Sequence, residues 1–485
     1  MERDALQSLN EMHKQYDGII GNAFDAEDKL KLFADLLLIF MPAEQYPTDS
    51  RDDRETVRRC LSDLKKACGG EAGAAELRFL LRCAADKLAE SLPQLQGVSL
   101  LNSALDRLSK KQLGQILGLF LEFHASEKQI RTVDIGDAYE YALGKFTSKS
   151  AKHSGRFYTP RQTAALLAEL LRPAGGSVYD PCCGTAGMLL AAAEYMTERQ
   201  SDFVLYGQEP DAEAWKCAKI NLMLRGLRAD LGSGPSYALG DGMHEAAWAD
   251  YVISNPPFAD AGWRKCADLM SDIPLKYGKP PKSRGCLAWL QYMLYCLKDG
   301  GRMSVLLSTS VLASQNAGER RIRLGLVQDR LPEAIVLLPY GLFYNTKIPV
   351  SLWMLQKGEK KTDRDGILMV DASEMGRTEG GQTRLTSDEE RKLLDVYREY
   401  RRGALPEQEN FCRTVRTSEI LEKDGVLEPR KYIVYRRSEI LSEKELDLRE
   451  TELKREAERL IQMNSEVFGR ISASVEKIAE DEHAR

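Results

Sequence analysis

Ser177-Val178-Tyr179-Asp180-Pro181-Cys182-Cys183-Gly184-Thr185-Ala186-Gly187 is the stretch that decides the fold. A short β-branched and aromatic run enters a proline, then a Gly-x-x-Gly turn, then the apolar helical pattern Gly187 to Thr197. Strand, glycine turn and helix open a βα unit, in which the glycines let the backbone turn tightly and approach a ligand. The spacing is not the Gly-x-Gly-x-x-Gly of dinucleotide folds, and no Lys-Ser/Thr follows as in a P-loop. A nucleotide-like cofactor without a pyrophosphate fits this turn better. Asp180, Cys183, Gly184, Thr185 and Gly187 are its candidate ligands on the loop.

The alternation continues outward. Short apolar runs at 203–206, 237–239, 251–253, 303–307 and 334–338 read as strands, with helical patterns at Ala212 to Leu224 and Leu287 to Leu297 between them. Strands alternating with helices predict an open, mostly parallel, Rossmann-like α/β sheet whose ligands bind beyond the carboxyl ends of the strands. Val350 to Leu355 could add an edge or antiparallel strand. Glu209, 22 residues beyond Gly187, ends the second strand, where an acid accepts hydrogen bonds from ribose hydroxyls. Asp241, in Leu239-Gly240-Asp241, ends the expected third strand and could reach a cofactor's adenine amino group.

A second site is Ser254-Asn255-Pro256-Pro257-Phe258, at the end of the strand Tyr251-Val252-Ile253. Proline fixes φ and removes the backbone donor, which leaves the carbonyls of this turn free to accept. An amino group conjugated to a purine is a poor nucleophile. Accepting its protons at the Asn255 side-chain oxygen and the Pro256 carbonyl frees its lone pair for a sulfonium methyl, through positioning and electrostatics. Asn255, Pro256, Pro257 and Phe258 would hold a target base, with Phe258 as the flat face on which an extruded base stacks.

A third site, Phe157-Tyr158-Thr159-Pro160, precedes both. Phe157 or Tyr158 could pack on the cofactor, and Thr159 could cap a helix that starts at Pro160. Lys145, Lys149, Lys152, Arg156 and Arg161 cluster here, and Lys276, Lys279, Lys282 and Arg284 follow the catalytic loop; both groups are candidate phosphate contacts.

The flanks differ from the middle. Residues 1–130 carry helical periodicity, as in Leu30-Phe33-Leu36-Leu37-Phe40 and Leu113-Ile116-Leu117-Phe120, and read as a helical domain. The sheet domain runs over 131–360, followed by a polar extension over 361–437. In 438–485, Leu446, Leu453, Leu460 and Val467 recur every seven residues, as in a helix that packs on another helix, within the chain or on a partner. Ten cysteines without a C-x-x-C, a charged N-terminus without a signal-like apolar run, and no apolar stretch long enough to span a bilayer point to a reducing cytoplasmic setting, no structural zinc and no membrane. A net charge of −5 argues mildly against nucleic acid as partner, although a local basic face or a partner subunit can supply the phosphate contacts.

Together the motifs resemble the modification (methylating) subunits of type I restriction-modification systems. The resemblance is clearest from Val133 to Lys357. It includes Gly136-Asp137-Ala138-Tyr139-Glu140-Tyr141, Phe157 to Pro160, Asp180 to Gly187, Asn255 to Phe258, and Leu338-Pro339-Tyr340-Gly341-Leu342-Phe343. It implies a seven-stranded S-adenosylmethionine-dependent methyltransferase sheet acting on adenine N6 in double-stranded DNA. By that resemblance Asp180, Gly184 and Glu209 bind S-adenosylmethionine, Asp241 contacts its adenine, and Asn255, Pro256 and Phe258 hold the target base. Ala186 stands where the family often has glycine, which would narrow the methionine end of the pocket. The resemblance also implies partners: a separate specificity subunit contacted by the C-terminal helices, a restriction/translocase subunit in the same assembly, and two copies of this chain per complex. Rival readings are methylation of RNA or of protein glutamine, and a catalytically silent scaffold that retains the cofactor.

Overall fold

The computed structural model describes residues 2–21, 24–41, 50–70, 72–92, 95, 97–101, 103–126, 136, 139, 159–241, 248–258, 263, 275–343, 348–358, 365–379, 382–436, 451 and 454–455. Met1–Val434 forms one compact unit and Tyr435–Arg485 another. The heptad positions Leu446, Leu453, Leu460 and Val467 lie outside the described residues.

The amino-terminal part is helical: α1 (Glu2–Ile20), α2 (Ala26–Ile39), α3 (Arg51–Cys68), α4 (Ala74–Ser91), α5 (Ala104–Arg107) and α6 (Lys110–Ser126). Their apolar faces meet around Tyr16, Phe33, Phe40 and Phe120, whose ring centroids lie 5.1 to 6.3 Å apart in tilted and edge-on contacts. Leu36 to Met41, the most apolar run of this region, is buried in that core.

The rest of the unit is built on strands β1 (Gly176–Asp180), β2 (Phe203–Gly207), β3 (Ala229–Asp230), β4 (Ala249–Ser254), β5 (Leu297–Ser308), β6 (Pro332–Leu337), β7 (Val350–Gln356), β8 (Ile367–Asp371), β9 (Arg377–Glu379), β10 (Gln382–Arg384), β11 (Glu407–Gln408) and β12 (Cys412–Val415). The accompanying helices are α7 (Arg161–Leu171), α8 (Gly187–Thr197), α9 (Ala212–Leu224), α10 (Ala238–Asp241), α11 (Cys286–Cys296), α12 (Ala317–Gln328), α13 (Ser387–Arg401) and α14 (Thr417–Glu422). Among the described residues ten strands form one sheet in the order β11-β12-β8-β6-β7-β5-β4-β1-β2-β3, and β9 and β10 form a separate hairpin. The predicted open α/β sheet is therefore present, but with ten strands rather than seven. β8 pairs parallel to β6 and carries the sheet past residue 360 into the stretch read as a polar extension.

Two expectations change. Tyr237-Ala238-Leu239 is not the third strand: Ala238–Asp241 is a helical turn, and the third strand is the two-residue Ala229–Asp230. A run of three apolar residues has no readable period, and alanine and leucine favour helix. Val350–Gln356 is antiparallel, as one of its two readings had it, but it lies inside the sheet between β5 and β6 rather than at an edge.

The helical part docks on α9. Lys216 Nζ donates to Asp35 Oδ2 at 2.9 Å, and Lys31 pairs with Glu213 at 3.1 Å. Asp35 is buried and also accepts from the Leu101 N–H at 2.8 Å. Gly97, at φ +80°, passes so close to the sheet part that a Cβ there would meet the Ser233 carbonyl oxygen at 2.4 Å. Among the described residues, no helix is long and apolar enough to cross a membrane.

Candidate active site

The order of the strands places the site. From β1 the chain builds outward through β2 to β3, and then returns to lay β4 and β5 on the other side of β1. Where a sheet reverses its order, the loops at the carboxyl ends of two adjacent strands diverge and leave a crevice. Asp180 ends β1, and Ser254 ends β4 with Asn255 directly after it.

Asp180 is 1% exposed and accepts from the Ser254 hydroxyl at 2.7 Å and the Cys182 N–H at 3.0 Å. Burial pushes its carboxyl up to about 7, and the negative charge of Glu209 adds to the rise, against the pull of the two hydrogen bonds. Burial also holds the Cys182 and Cys183 thiols well above their ordinary value, so neither is a thiolate at neutral pH.

Glu209 lies two residues beyond the end of β2, where its carboxylate ties the glycine turn to the next helix. Oε2 accepts from the Gly184 N–H at 3.0 Å, and Oε1 from the Asp211 N–H at 2.9 Å. Asp211 in turn caps α9, accepting from the Glu213 and Ala214 N–H groups. Gly184 has φ +55° and open space where a Cβ would point. Ala186 shares the left-handed region, at φ +69°, and is fully buried. Its methyl is therefore enclosed in the protein, and what alanine changes here is backbone strain. Thr185 is held through its carbonyl oxygen, which accepts from Asn221 Nδ2 at 2.9 Å. Arg225 donates to the other end of the Asn221 amide. Gly136 lies against that guanidinium: a Cβ there would come within 2.7 Å of it.

Asn255 joins this cluster to the third motif. Its Nδ2 donates to Thr159 Oγ1 at 2.9 Å. Its Oδ1 is buried and has no hydrogen-bond partner among the described residues. A buried acceptor left unmade costs on the order of 1–3 kcal/mol, so an orphan beside a crevice marks a place for a donor that arrives with a ligand. Thr159 does not cap a helix, as the sequence suggested. Pro160 takes the cap position without a side-chain bond, and the hydroxyl is committed to Asn255. The Thr159 carbonyl oxygen lies 3.9 Å from where a Cβ of Gly187 would be, so all three motifs converge.

Pro256 is buried and Pro257 half-buried. Phe258 is 9% exposed and meets Phe343 edge-on, with ring centroids 6.5 Å apart. Of the other expected site residues, Asp241 is the last residue of α10. Phe157, Tyr158, Lys145, Lys149, Lys152 and Arg156 lie outside the described residues. Arg161, Lys276 and Arg284 each face a carboxylate, from Glu194, Asp329 and Glu319 respectively.

Ser254 and Phe343 stand within motifs of the sequence without a role of their own there, and the sequence reading does not single out Gln208 or Asn221. Gln208 is fully buried and joins the site to the core, accepting from Tyr179 and donating to Ser236 at 3.1 Å. Asn221 had a usable signal, a single amide between Ile220 and Leu222 on an apolar helix.

Two acids at adjacent strand ends suit a cationic ligand that carries vicinal hydroxyls, and would repel a phosphate. The open face of Gly184 leaves room for it, and the Asn255 oxygen has no hydrogen-bond partner among the described residues.

Comparison with known proteins identifies the group. Residues 131–440 match the N-6 DNA Methylase family. The type I restriction enzyme HindI methylase subunit of Haemophilus influenzae is 33% identical over 304 residues, covering 62% of this chain and 68% of that protein. The MjaIX methylase subunit of Methanocaldococcus jannaschii is 31% identical over 320 residues, covering 63% of this chain and 57% of that protein. A type I restriction-modification methyltransferase subunit from Streptococcus thermophilus has the same fold, with a TM-score of 0.70 at 24% identity over 89% of this chain and 100% of its own. The match spans well over half of this chain and includes the Asp180 turn and the Asn255 loop, and the chain belongs to the N-6 DNA methylase family.

Proposed function

We propose that this chain transfers a methyl group from S-adenosylmethionine to N6 of adenine in double-stranded DNA, as the modification subunit of a cytoplasmic type I restriction-modification complex. One observation carries the reading: the buried Asn255 Oδ1, without a partner among the described residues, at the carboxyl end of β4, with Nδ2 anchored on Thr159. A silent scaffold does not require an asparagine at this strand end.

The residues fit the cofactor. Glu209 takes ribose hydroxyls, Asp180 and the turn through Cys183, Gly184, Thr185 and Gly187 border its methionine end, and Asp241 is assigned to its adenine amino group from the sequence alone. Phe157, Tyr158 and Pro160 are assigned to the cofactor from the sequence motif alone. When bound, S-adenosylmethionine supplies a methyl group on a positively charged sulfur. Asn255 Oδ1 and the Pro256 carbonyl accept the protons of the target amino group, which drives the nitrogen toward tetrahedral geometry and localises its lone pair. The surplus amino proton, held at Asn255 Oδ1 or the Pro256 carbonyl, would pass from there to water. Phe258, packed edge-on against Phe343, offers aromatic surface to a base extruded from the duplex, and Pro257 stiffens the loop.

The relatives are named as subunits, which supports assembly with other subunits; a separate specificity subunit, a restriction/translocase subunit and a second copy of this chain are the partners this reading assigns. The product tests the proposal. The full chain, alone and with its co-expressed specificity subunit, is incubated with labelled S-adenosylmethionine and a DNA duplex, and the nucleosides are separated after digestion. Label is expected in N6-methyladenine. Label confined to cytosine, RNA or protein would contradict the reading.

A further inference from the structure

The hairpin of β9 and β10 carries two arginines that nothing in the site yet uses. Arg377 and Arg384 are direct cross-strand partners in antiparallel register, and both are exposed. Directly opposed residues project from the same face, and like charges placed there repel. A two-stranded ribbon has little stability of its own with which to tolerate that. Among the described residues neither arginine has a carboxylate within ion-pair distance. Glu389, whose charge acts on Arg377, is already committed: Oε1 accepts from the Gly376 N–H at 2.8 Å, and Oε2 from the Thr386 N–H and hydroxyl at 2.7 and 2.8 Å. Arg161, Lys276 and Arg284, which the sequence pointed to, are by contrast paired.

The hairpin is tied to both walls of the active site. The Thr383 N–H donates to the Gly341 carbonyl at 2.9 Å, and Gln382 Nε2 to the Leu342 carbonyl at 3.0 Å. The next residue, Phe343, faces Phe258. On the other side Gln162 Nε2 donates to the Leu385 carbonyl at 2.6 Å, three residues along from Thr159. Gly341 permits this seating: it has φ +80°, and a Cβ there would press on Thr383 Oγ1 at 3.0 Å.

We infer that this hairpin is a phosphate grip, in which Arg377 and Arg384 together hold the phosphodiester backbone of the DNA strand beside the target base. An anion between the two guanidinium groups turns their repulsion into attraction, and the planar fork of arginine matches phosphate oxygens. The inference rests on the proposed DNA substrate and adds the surface that would hold the strand.

The test measures binding of the full chain to a fluorescent DNA duplex by anisotropy over a series of salt concentrations, for wild type, the Arg377→Gln/Arg384→Gln double variant and the Arg377→Lys/Arg384→Lys double variant. The glutamine variant is expected to bind about tenfold more weakly at low salt, with the slope of log affinity against log salt flatter by roughly 1.8, the share of two phosphate contacts. The lysine variant should keep most of both. The affinity for S-adenosylmethionine should not change, and the glutamine variant should melt no lower than wild type. Wild-type affinity and slope in the glutamine variant would overturn the grip while leaving the methyltransferase reading intact. A wild-type chain that neither binds nor methylates DNA even with its co-expressed specificity subunit would overturn both.

Discussion

Thr159 Oγ1 accepts a hydrogen bond from Asn255 Nδ2 at 2.9 Å across 96 residues of sequence, and this bond decides which end of the Asn255 amide faces the crevice. With Nδ2 committed, Oδ1 is left as the acceptor. Thr159→Val keeps the shape and removes the hydroxyl, so the amide loses its orientation. We expect kcat to fall roughly ten- to a hundredfold, with a smaller change in cofactor affinity, while Thr159→Ser retains most activity. Single-turnover rates together with equilibrium cofactor binding check this. A valine variant as fast as wild type would remove Thr159 from the positioning of Asn255.

Ala186 holds φ +69° in a position where only glycine is unstrained. Ala186→Gly relieves the strain, less what glycine adds to the freedom of the unfolded chain. The net effect should be a gain of roughly 0.5 kcal/mol, read from urea midpoints. A loss of stability would mean that the buried methyl contributes more through packing than the backbone conformation costs.

Asp180 imposes a pH dependence whose sign is fixed. Its carboxyl is raised by burial from 3.8 to about 7, so between those values the folded protein holds a proton that the unfolded chain releases. Stability should fall as pH rises through that window and level off above it. Asp180→Asn can still accept from Ser254 and Cys182, and should flatten this part of the curve. Parallel stability curves for the two proteins between about pH 5 and pH 8 would show that the carboxyl titrates elsewhere. In the same range, wild-type affinity for the cationic cofactor should rise with pH as the carboxylate forms.

Much of the sheet and of the site was legible because each signal was local. The turn at Gly184, the acid at Glu209 and the rigid loop after β4 can each be read from residues within one strand end and its turn. What was missed depends on contacts between distant segments. The Thr159 hydroxyl had a good local partner in the following helix and took a remote one instead. Tyr237-Ala238-Leu239 was too short to show a period, and β8 is a short apolar run in a polar neighbourhood, recognisable only by its pairing with β6. The opposition of Arg377 and Arg384 is a matter of register, which the residues alone do not reveal.

Asn255→Ala is the most direct test of the central claim, that the buried Asn255 oxygen receives the amino group to be methylated. Methyl transfer from labelled S-adenosylmethionine into duplex DNA is measured alongside cofactor affinity for the variant and the wild type. The account predicts that transfer falls by at least about a hundredfold, the scale of losing one preorganised group that acts in the transition state, while cofactor affinity stays within a few-fold. Transfer at the wild-type rate by the alanine variant would contradict it.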